Sequence, residues 1–78
     1  MPTLEQERED LALADRHIAE GERRISDQIA LVAILVEGGH DTTQAERLLR
    51  TFEDTLDVWH SHRRSILDTI ARLDPPRS

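Results

Sequence analysis

Apolar residues return every seven positions along most of this chain, and one glycine pair interrupts them. Leu4, Leu11, Ile18, Ile25 and Val32 form the first run, and Ala45, Phe52, Trp59, Ile66 and Leu73 form the second. Leu49, Leu56 and Ile70 widen the second run. A sustained seven-residue repeat is the pattern of helices packed along a coiled-coil-like seam, whereas strands need a period of two. Gly38-Gly39 is the central break, and Pro2 and Pro75-Pro76 mark the ends. Between these marks the chain is rich in Ala, Leu, Glu, Arg and Gln, which favour helix. The expectation is an all-α single domain over residues 1–78, with a helix over about 3–37, a turn at 38–42 and a helix over about 42–73.

The turn carries its own local signals. A glycine just past a helix can take the left-handed conformation that closes the C-terminus. Asp41 or Thr42 can then cap the next helix through a side-chain oxygen. Asp41 with Gln44, and Thr43 with Glu46, have capping-box spacing. So short a connection makes the helices antiparallel neighbours. If the turn centres on residue 40, facing positions sum to about 80, which sets Glu7, Ala14, Gly21, Gln28 and Leu35 opposite Leu73, Ile66, Trp59, Phe52 and Ala45. Small then meets large at Ala14 with Ile66, Gly21 with Trp59, and Leu35 with Ala45. On this map Gly21 is the space that admits the tryptophan. The expected core and interface residues are Leu11, Ile18, Gly21, Ile25, Val32, Leu35, Phe52, Leu56, Trp59, Ile66 and Ile70.

A hairpin of this size has difficulty standing alone. Each helix is roughly 50 Å long and can cover only one side of its neighbour. Yet Ile29, Val32, Ile34, Leu35 and Val36 spread around most of the first helix near the turn. Chains this short usually need a staple. The sequence has no cysteine, so disulfides and thiol chemistry are excluded. The expectation is therefore a homodimer in which two antiparallel two-helix hairpins form a four-helix bundle, with an unidentified protein as the other possible cover.

Charge and hydropathy exclude further classes. The net charge of −6 disfavours non-specific nucleic-acid binding. The longest apolar run, Ile29 to Val36, falls far short of the ~20 residues a membrane helix needs, so no membrane partner is expected. No basic-then-apolar leader is visible at the start. Glu20 with Arg24, Glu46 with Arg50, and Asp68 with Arg72 have the four-residue spacing of exposed helical ion pairs. The Trp59-to-Arg64 stretch is locally basic, but its aromatic is needed in the seam.

The histidines are the only candidates for chemistry. His17 with Glu20, and Asp57 with His60, are each three residues apart on one helix face. Helical bundles build carboxylate–histidine metal sites from such pairs. Facing positions bring Glu20 near His60, and His17 near Arg63. Against a metal stand the reversed order of the His17–Glu20 pair and the positive charge of Arg16, Arg63 and Arg64. Boundary histidines bonded to carboxylates, or a polar layer that charges at mildly acid pH through His60 and His62, are the other readings. No catalytic serine arrangement or glycine-rich phosphate loop is present, so no cofactor and no enzymatic activity are expected.

The segments Ala14 to Ile25, Gly39 to Thr42 and Ala45 to Glu53 resemble a group of short bacterial helical-hairpin proteins of unassigned function. The likeness spans about residues 11–70. It implies a self-contained cytoplasmic chain with a recurrent Gly39-His40-Asp41-Thr42 turn, and no activity. The resulting expectation is a non-enzymatic interaction or adaptor module. The alternative is a small metal- or pH-responsive bundle using His17, Glu20, Asp57 and His60.

Overall fold

The computed structural model describes residues 1–76. Two helices, α1 over Leu4–Glu37 and α2 over Thr43–Leu73, account for the fold, and no strand forms among the described residues. The start of α1 is fixed by Thr3, whose Oγ1 accepts the Gln6 N–H at 3.1 Å. Glu5 and Glu7 in the first turn suit the positive end of the helix dipole.

The end of α1 is a Schellman closure. The Gly39 N–H donates to the Val36 carbonyl at 3.1 Å, and the His40 N–H to the Leu35 carbonyl at 2.9 Å. Gly39 has φ +72°, the left-handed region this closure requires, while Gly38 at φ −80° continues the right-handed turn. Asp41 then caps α2 from one residue further out than the Thr42 cap position. Its Oδ1 accepts the Thr43 N–H at 3.0 Å and the Thr43 hydroxyl at 2.7 Å. Neither capping box of the sequence reading forms; the Thr42 hydroxyl donates instead to Glu46 Oε1 at 3.2 Å.

The helices lie antiparallel, as cross-helix pairs from end to end show: Arg8 with Asp74, Asp15 with Arg63, His17 with Trp59, and Gln28 with Ala45. The seam follows the heptad rows. Leu4, Leu11, Ile25, Val32 and Leu35 from α1, and Ala45, Leu49, Phe52, Leu56, Trp59 and Ile70 from α2, are half-buried. Among the described residues Ala14, Ile18 and Ile66 are the buried apolar residues and Gln28 is the buried polar one.

The pairing expected at Gly21 is corrected. A Cβ on Gly21 would meet Leu56 Cδ1 at 3.2 Å, not the indole. Trp59 lies instead against His17. The cause is the turn: the chain reverses at Gly38-Gly39, so His40 to Thr42 already run back along α1. Facing positions in the middle of the hairpin are therefore three to four lower in sum than a turn centred on His40 gives. Leu73, at the last residue of α2, is exposed rather than held in the seam.

Candidate functional site

The two broad faces of the hairpin differ in chemistry. One carries the ion pairs. Arg63 occupies a seam position, in the row of Leu49, Leu56 and Ile70, and is half-buried. Its stem lies in the seam while Nε donates to Asp15 Oδ1 at 2.6 Å. Arg8 and Asp74 meet at 3.5 Å near the open end. Both pairs are largely exposed and contribute at most about 1 kcal/mol each.

The opposite face carries two shallow grooves. The first, of about 50 Å³, is lined by His17, Glu20, Gly21, Arg24, Phe52, Thr55, Leu56 and Trp59. Here the His17 ring stacks on the indole at 4.2 Å and 15°, and His62 meets the same indole edge-on at 5.6 Å and 73°. The second groove, of about 210 Å³, is lined by Glu7, Asp10, His62, Ser65, Ile66 and Thr69.

On this face α2 presents an uncharged stripe. Thr55, His62, Ser65 and Thr69 line the grooves. Steps of three and four residues extend the same row through Gln44, Leu48, Thr51 and Val58. None of these eight is Asp, Glu or Arg, in a chain that is 33% charged. Two of the hydroxyls turn back on their own helix: Thr51 donates to the Arg47 carbonyl at 3.2 Å, and Thr69 to the Ser65 carbonyl at 3.1 Å. At these two positions the hydroxyl is already bonded and the methyl group is left to face outward.

The four residues considered for metal binding do not come together. His17 and Glu20 line the first groove. Heptad phase places Asp57 and His60 toward the other face, because they lie on the far side of Trp59 from the groove-lining Thr55 and His62. No group of three or more His, Asp or Glu side chains able to hold a metal forms among the described residues. His17 is occupied by the indole rather than by Arg63, which turns to Asp15.

Among titratable groups, Asp41 stands out. Donation from the Thr43 hydroxyl, and then from the Thr43 backbone N–H, holds its carboxyl below the usual aspartate range. This serves the turn and carries no chemistry beyond it. Gln28 stands in the facing row of the sequence reading, but opposite Phe52; its burial and its bond to the Ala45 carbonyl go beyond that reading, as do the seam position of Arg63 and the uncharged stripe. The stripe was visible in the spacing, whereas Arg63 is a charged residue at an apolar position of the repeat, which hydrophobicity alone passes over.

No family model, no curated protein and no solved structure matches the chain. No helix is long and apolar enough to cross a membrane among the described residues.

Proposed function

We propose that this chain is a non-enzymatic, oligomeric helical protein that works as a protein–protein interaction module, with a second copy of itself as first partner. In this reading two hairpins pack into a four-helix bundle. The carrying observation is the surface left uncovered. The chain exposes 6189 Å², where a compact monomer of 9.0 kDa exposes about 4,900 Å². The excess, about 1,300 Å², is more than the ~800 Å² that one partner buries in a standard interface. Large apolar side chains supply part of it: Ile34 and Val58 on the grooved face, and Ile29 and Val36 in the row of Asp15 on the other face, are each more than half exposed. A hairpin with three buried apolar residues among the described residues has little core of its own.

Sedimentation equilibrium of the full chain at micromolar concentration tests this reading. A mass of two chains is expected. A folded species with the mass of one chain overturns it.

A further inference from the structure

We infer that the second copy docks on the grooved face, with both turns at the same end of the bundle, so that α1 of each copy lies over α2 of the other. This rests on the dimer reading above and specifies its geometry. The face is large enough, because the hairpin measures 59 by 23 Å across its broad sides and a standard interface needs about 800 Å² from each partner.

Charge selects the arrangement. Nine acids against four arginines leave α1 at −5, and five against five leave α2 at zero. Two copies can meet face to face about a two-fold axis in two ways. An axis across the helices sets α1 on α1 and opposes two acidic faces, where Glu7, Asp10 and Glu20 of each copy outnumber Arg24. An axis along the helices sets α1 on the partner's α2, where the uncharged stripe offers no carboxylate to repel it.

Hydrophobicity selects the same arrangement independently. Near the turn this face carries Leu31, Ile34 and Leu48, all exposed. Toward the open end it carries Asp10, Ser65 and Thr69, with Leu13 as the one exposed large apolar side chain in the same rows. Only the arrangement with both turns at one end lays the apolar end of one copy on the apolar end of the other.

Two measurements on the full chain test this. Val58 lies on the stripe and is 66% exposed, so replacing it leaves the hairpin seam intact. Val58→Glu faces a carboxylate toward the partner's acidic α1 and is expected to weaken the dimer more than about tenfold in sedimentation, while Val58→Arg keeps it. The sequence has no cysteine, so a nitroxide on His40→Cys reports the turn-to-turn distance by pulsed dipolar spectroscopy. Because the plates stack through their 14 Å thickness with both turns at one end, that distance is expected to be far below the 59 Å length of the hairpin. A dimeric wild type in which Val58→Glu dissociates like wild type, in which both variants lose the dimer, or in which the labels stand a hairpin length apart overturns the arrangement while leaving the dimer. A monomeric wild type removes the dimer reading and this arrangement together.

Discussion

Gly21 faces the side chain that sets its value. A β-carbon there would stand 3.2 Å from Leu56 Cδ1, which is tight, but the atom in the way is the end of a flexible side chain. Leu56 also borders the first groove, so it has room to turn aside. The helix meanwhile gains about 1 kcal/mol when a mid-helix glycine becomes alanine. Gly21→Ala is therefore expected to raise the melting temperature by a few degrees, whereas Gly21→Leu overpacks the layer and costs about 1–3 kcal/mol. Thermal melts followed by circular dichroism check both, and a lower melting temperature for Gly21→Ala would show Leu56 to be locked. At the turn, Asp41 is held ionised by its bonds to Thr43. A carboxyl whose folded pKa is depressed stabilises above its unfolded value, about 3.9, and loses that contribution as pH falls through the folded value. Asp41→Ala is thus expected to lower the urea midpoint at neutral pH, with the gap to wild type narrowing as the pH falls below the range of a free aspartate. A gap that persists in acid would assign the effect to something other than the carboxylate.

Polar residues inside the repeat define how the two helices read each other. Gln28 is buried, and its Nε2 donates to the Ala45 carbonyl at 2.9 Å. That carbonyl is also the acceptor for the N–H four residues on in α2, so removing the amide orphans no backbone group. Gln28→Leu is expected to stay within about 1 kcal/mol of wild type or to exceed it, while Gln28→Ala loses packing and falls by about 1–3 kcal/mol. Urea unfolding separates these outcomes, and a large loss in Gln28→Leu would make the amide bond the determinant. The same residues mark where the sequence was readable. The heptad rows and the glycine pair specify two antiparallel helices, since few other structures bury such a stripe. Register was less visible, because it depends on where within Gly38 to Thr42 the chain reverses, and the left-handed φ of Gly39 decides that. Arg63 was invisible as a seam residue because its charge hides an aliphatic stem, although it shares the row of Leu49, Leu56 and Ile70 and is half-buried. The His17–Trp59 stack followed from the shifted register and could not precede it.

As a whole the hairpin is a thin plate, 14 Å through its short dimension, with a radius of gyration of 17.7 Å. A compact chain of 78 residues has a radius of about 11.5 Å. A plate two helices wide and one helix deep has no interior layer, so each helix keeps much of its circumference in water. Stacking a second plate on the first creates that layer without changing either hairpin. Folding and association then become one equilibrium, and the stability of the folded chain depends on how much protein is present. Each tenfold dilution removes about 1.4 kcal/mol from a two-state dimer, which lowers the melting temperature by about 3 to 6 °C for an assembly of this size. Melts across a hundredfold range of concentration are expected to trace that slope. A melting temperature independent of concentration, with a mass of one chain, would mean that the exposed Ile34 and Val58 stay in water and that the hairpin seam alone holds the fold.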